Sequence, residues 1–94
     1  MFYILDGKGV PILAPTESAW MGYMSKHASI AQDMVGLFVV STIFTGITHP
    51  WSMTPLFETL ILNAAGEVVY MEKHKTLDDA RLGHTRAFAL AGTL

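Results

Sequence analysis

The run Leu37-Phe38-Val39-Val40-Ser41-Thr42-Ile43-Phe44-Thr45 constrains this chain more than any other segment. Drawn out as a strand, it is largely apolar on both faces and rich in β-branched residues, as in a central strand covered on both sides. Two faces need two covers. Helices would supply one, and further helices or another subunit the other.

The flanking sequence builds outward from that strand. His27 to Met34 alternates, Ala28, Ile30 and Met34 pointing one way and His27, Ser29, Ala31 and Asp33 the other. This pattern predicts a strand with one solvated face, joined to the central one by a tight turn at Val35-Gly36. Gly46 to Pro55 contains a glycine and two prolines and reads as a loop. Leu56 to Leu62 predicts the next strand, and Asn63-Ala64-Ala65-Gly66 turns it into a fourth, Glu67 to Glu72.

Before the sheet, Phe2–Leu5 and Val10–Leu13 flank Asp6-Gly7-Lys8-Gly9 as a short hairpin, with Pro11 confining its second strand to an edge. Thr16 is placed to cap a helix from Glu17 to Ser25, whose Trp20, Tyr23 and Met24 share one face. After the sheet, Thr76 caps a final helix with Asp78 and Asp79 in its first turn. Leu77, Ala80, His84, Ala87, Phe88 and Ala91 fall on one side of it, and Gly92 stands at its C-cap. The expected fold is a single α+β domain over residues 1–94. It has an N-terminal β-hairpin and short helix, a four-stranded antiparallel meander, and a C-terminal helix packed on the sheet.

Composition adds a demand. Apolar residues make up 51% of the 94 positions and charged residues 15%, against a typical charged share of ~25%. So much apolar surface exceeds what one small core encloses, so self-association into a homo-oligomer is expected. There is no cysteine, which excludes disulfides and thiolate zinc sites. The net charge of −2 argues against nucleic acid as a partner. The longest apolar stretch, Met34 to Ile47, is short of the roughly 20 residues a spanning helix needs, so no membrane partner is expected. The opening Met1-Phe2-Tyr3-Ile4-Leu5-Asp6 has no basic n-region, leaving the cytoplasm as the expected compartment.

Five residues are candidates for ligand binding. Glu58 lies mid-strand on the same side as Leu56, Leu60 and Leu62, where a carboxylate must be bonded, paired or protonated. It would serve as a general base, metal ligand or acceptor, or else anchor loop amides. His49 and Trp51 sit together in the loop and would pin a planar ligand between imidazole and indole; equally, Trp51 would plug the end of the sheet while His49 bonds backbone. His84 faces the core from the last helix, as a satisfied core residue or a ligand. Thr42, with Ser41, interrupts the central strand, as a nucleophile or ligand donor, or as a hydroxyl bonded within the sheet or to Glu58. Lys73, His74 and Lys75 before the last helix form a small cationic cluster that would hold a phosphate or simply be a solvated strand end. No spacing among these residues marks a metal site, and no cofactor is expected.

Several of these segments carry a resemblance. Val40-Ser41-Thr42-Ile43-Phe44-Thr45-Gly46-Ile47-Thr48-His49, then Leu56-Phe57-Glu58-Thr59, then Thr76 to Ala80 and Gly83-His84, resemble a group of small phage and actinobacterial proteins with no assigned activity. Their pattern runs S-T-x-F-x-G-x-x-H, F-E-T and a C-terminal G-H, and a tryptophan segment precedes their first strand, as Trp20 does here. Thr48 stands where that group has an aspartate, which counts against a role needing an Asp–His pair. The resemblance implies a phage-type origin and raises the expectation of a counter-defence binder. Three readings follow. The first is a non-enzymatic homo-oligomer sequestering a small nucleotide-like ligand. The second is a metal-dependent or acid/base hydrolase using His49, Glu58 and His84. The third is an inhibitor of a host protein.

Overall fold

A computed structural model describes residues 1–48 and 57–94. The order is β1 (Tyr3–Leu5), β2 (Pro11–Leu13), α1 (Glu17–His27), β3 (Ser29–Val35), β4 (Phe38–Phe44), β5 (Phe57–Leu62), β6 (Val68–His74) and α2 (Leu77–Ala91). β1 and β2 pair as an antiparallel hairpin, and β3-β4-β5-β6 form a second, antiparallel sheet in chain order. This is the α+β meander anticipated from the sequence, with α2 packed across it. Among the described residues no helix is long and apolar enough to cross a membrane.

Local chemistry explains the boundaries. The Thr16 hydroxyl accepts from the Ala19 amide at 3.0 Å and that of Thr76 from the Asp79 amide at 3.1 Å, so each helix begins where a side chain satisfies an orphan N–H. β3 and β4 are joined through Gly36 and Leu37, with Val35 paired to Phe38. Gly36 takes φ +61°, as the first position of a two-residue hairpin turn requires.

Register then separates the two faces of the sheet. Val40 pairs with Ile61, Thr42 with Thr59, and Phe44 with Phe57; all six are fully buried or line the side covered by α2. Against them pack Ala80, Ala87 and Ala91, whose small side chains let the helix lie close to the strands. Tyr3, Leu5, Tyr23 and Met24 join this side at the Phe44–Phe57 end, so the hairpin and α1 extend the same layer as α2. The opposite face carries Val39, Ser41, Ile43, Glu58, Leu60 and Leu62, each only partly buried.

Three expectations are corrected. In β3 a register shift between Ser29 and Ala31 turns the strand over, so Asp33, opposite Val40, lies on the α2 side. Met34, opposite Val39, falls on the other face at 72% exposure. An uninterrupted alternation could not reveal a bulge, which adds a residue to one strand alone. On α2, Phe88 is turned outward at 46% exposure, and Gly83 is buried in the helix–sheet interface instead. The cause is steric: a Cβ on Gly83 would lie 2.1 Å from His74 Cε1, so the imidazole occupies the space that any side chain would need.

Gly83→Ala should therefore destabilise the fold by about 1–3 kcal/mol, the ordinary cost of overpacking, despite alanine's better helix propensity. Urea unfolding should show a lower midpoint at an unchanged slope.

Candidate functional site

The centre of the α2-covered face is polar. Thr42 of β4 and Thr59 of β5 are a directly opposed pair, and their hydroxyls are 2.8 Å apart. Each is fully buried. Thr42 Oγ1 lies 2.7 Å from His84 Nδ1 on α2, and Thr59 Oγ1 lies 3.0 Å from His74 Nε2 on β6. The outer nitrogens of both rings reach carboxylates: His84 Nε2 is 2.7 Å from Asp33 Oδ2, and His74 Nδ1 is 3.5 Å from Glu72 Oε1. A hydrogen-bonded relay thus runs Asp33–His84–Thr42–Thr59–His74, and the longer His74–Glu72 ion-pair contact carries it on, from one edge strand of the sheet to the other. Both imidazoles are buried, while the carboxylates at the ends meet solvent.

Glu72 is held at its own end by two further groups. The Tyr70 hydroxyl donates to Oε2 and the exposed Arg86 guanidinium to Oε1. The Tyr70 hydrogen bond, followed by that from Arg86, keeps the Glu72 carboxyl below its usual range. Reciprocally, the bond to Glu72, with burial second, raises the Tyr70 phenol above its ordinary value.

The structure unites two of the sequence candidates and separates a third. Thr42 and His84 bond each other directly. Glu58 stands opposite Ile43 and Lys73, next to Thr59 in the strand, and therefore on the other face of the sheet. The sheet itself lies between Glu58 and His84. His49 and Trp51 fall outside the described residues. Among the described residues no group of three or more His, Asp or Glu side chains is arranged to hold a metal ion.

Asp33 and Thr59 escaped the sequence reading, and His74 entered it only within a cationic cluster, whereas it is buried and bonded to Thr59. Thr59 had a legible signal, a hydroxyl alternating with Phe57 and Ile61 on a strand whose apolar neighbours must be buried. Asp33 had none, because the bulge hides its face. His74 reads equally well as the solvated end of a basic cluster.

Two clefts open at the ends of α2. One, of about 210 Å³, lies between the β1–β2 hairpin and the start of the helix, with Lys8, Lys75 and Arg81 around it and Thr76 and Asp78 beside them. The other, of about 340 Å³, is apolar and lies between the β3–β4 turn and the helix C-terminus.

The fold defines the class, an α+β protein with a helix on one face of a four-stranded meander. Compared with protein-family models, curated proteins and solved structures, the chain matches none.

The Glu72 cluster sets a pH signature. A carboxyl whose pKa is lower when folded stabilises the protein above the unfolded carboxylate's pKa, and that contribution is lost as pH falls through the folded value. Tyr70→Phe removes the largest lowering influence, so acid unfolding followed by circular dichroism should begin at a higher pH. The raised phenol acts in the opposite direction. Its stabilisation is present below the unfolded tyrosine's pKa and lost as pH climbs through the folded one, so Tyr70→Phe should also remove this source of alkaline destabilisation.

Proposed function

We propose that this chain is a non-enzymatic binding protein that self-associates through the α2-free face of its sheet and takes up a small, anionic, nucleotide-like ligand. The observation that carries this reading is the chemistry of that face. Among the described residues both helices lie on the other side. Met34 is 72% exposed and Met71 is 52% exposed, while Val39, Ile43, Leu60 and Leu62 form an apolar strip between them. An apolar face of this kind is what a partner subunit covers.

A second copy fits better than an unlike partner. Glu58 and Lys73 are a cross-strand pair on this face, one acid and one base side by side. A two-fold axis passing between these two residues would set each Lys73 against the other copy's Glu58, which is the self-complementarity an isologous interface requires. The burial gained would support a monomer whose core is small, with three alanines among its buried apolar residues.

The non-enzymatic reading is supported by where the reactive groups lie. Both imidazoles and both threonine hydroxyls are bonded to one another in the interior, and neither cleft is lined by them. With Glu58 across the sheet from His84, the hydrolase reading loses the convergence it needs. For a phosphate-bearing ligand, the cleft ringed by Lys8, Lys75 and Arg81 offers three cations from three separate segments. The likeness to small phage proteins favours a counter-defence role, sequestering a signal rather than transforming it.

Sedimentation velocity at micromolar concentration should find a dimer or larger assembly. Met34→Lys with Met71→Lys should weaken it at least a hundredfold, since each buried methionine contributes about 1.5–3 kcal/mol and 1.4 kcal/mol is tenfold. A monomeric parent protein would refute the assembly. Calorimetric titration with adenosine monophosphate should give binding that Lys8→Glu with Arg81→Glu abolishes. Equal binding by parent and variant would refute the cleft.

A further inference from the structure

The relay has a fixed number of protons to distribute, and that number limits what it can do. Its four short links, Asp33–His84, His84–Thr42, Thr42–Thr59 and Thr59–His74, need one proton each. Two neutral imidazoles and two hydroxyls supply four. With Asp33 ionised, only one arrangement fills all the links. His84 donates from Nε2 to Asp33, Thr42 donates to His84 Nδ1, Thr59 donates to Thr42, and His74 donates from Nε2 to Thr59. The reverse arrangement would leave a bare ring nitrogen 2.7 Å from a carboxylate oxygen, two acceptors in contact. In the allowed arrangement the bare nitrogen is His74 Nδ1, 3.5 Å from Glu72 Oε1.

We propose that the relay is a one-proton switch in which charging His84 reverses both threonine hydroxyls and converts His74 from its Nε2–H to its Nδ1–H tautomer. One added proton balances the chain, and only the 3.5 Å His74–Glu72 contact has to shorten to close it. His84 then holds both ring protons and donates to Asp33 and to Thr42; Thr42 donates to Thr59; Thr59 donates to His74 Nε2; and His74 donates from Nδ1 to Glu72. Once His74 Nδ1 closes on Glu72, every nitrogen and hydroxyl is paired, and the only change of charge is the proton gained.

The charge rests on His84 rather than His74 because of the groups that face the relay. These are Asp33 from β3, Tyr70 and Glu72 from β6, and Arg86 from α2, while β4 and β5 contribute the two threonines. Asp33 touches His84 at 2.7 Å. Glu72 is farther from His74 and is already paired with the Arg86 cation and the Tyr70 hydroxyl. The consequence reaches across the sheet. Once His74 Nδ1 carries a proton, it shares Glu72 Oε1 with Arg86, so protonation beside β3 weakens the hold on an exposed arginine beside β6. Lowering the pH thus adjusts both edges of the sheet through one buried chain.

Histidine side-chain ¹⁵N–¹H correlation spectra across about pH 5 to 8 test the proposal directly. The expected result is a single transition at one midpoint, in which His84 becomes doubly protonated while His74 stays neutral and exchanges one tautomer for the other. Thr42→Val should break the link, leaving the His74 tautomer unmoved at the His84 midpoint, and Thr42→Ser should restore the joint response. Separate midpoints for the two rings would overturn the switch. So would a His74 tautomer that never changes, or a Thr42→Val protein in which both rings still respond together.

Discussion

The Thr42–Thr59 hydroxyl pair is the contact on which the rest of this interior depends. It sits where β4 and β5 meet under α2, between two aliphatic and aromatic layers, Val40 with Ile61 on one side and Phe44 with Phe57 on the other. A buried hydroxyl without a partner costs a few kcal/mol, and two facing each other satisfy only one donor and one acceptor between them. Each needs another partner. The two histidines supply it from elements outside the strand pair, so the polar centre ties β4 and β5 to β6 and to α2 at once.

That requirement accounts for features that look incidental one at a time. Gly83 is small because the His74 ring occupies its side-chain volume. The β3 bulge puts Asp33 on the helix side, where His84 Nε2 needs an acceptor. Glu72, Tyr70 and Arg86 close the other end at β6. Buried polar networks of this kind specify one arrangement more than they add stability, because a slip of one residue in register would leave several groups unpaired together.

Among the described residues, both helices lie on the side of the polar lock, and neither covers the second face of the sheet. The two halves of the functional reading come from this asymmetry. The locked side holds both imidazoles and both threonine hydroxyls away from solvent, bonded to one another. The open side exposes the apolar strip between Met34 and Met71, the face through which we propose self-association. The proposed assembly and the proposed proton switch thus belong to opposite faces of the same four strands.

Much of the architecture was legible in the chain because it rests on local chemistry. Thr16 and Thr76 mark their helices by side-chain capping, Gly36 marks its turn by positive φ, and the apolar run from Leu37 marks the central strand by β-branching and length. The site was less legible. Thr42 and His84 were visible as polar residues on apolar faces, but nothing in the sequence paired them, since 42 positions separate them. Glu58 looked like their neighbour and lies across the sheet, because strand alternation reverses direction with every residue. Asp33 entered only through a bulge that turns it to the helix, and His74 through the pairing of β6 with β5. Sequence alone thus determined the elements, which depend on residues a few positions apart. Tertiary structure decided which polar groups meet, because that depends on register and on one glycine's missing side chain.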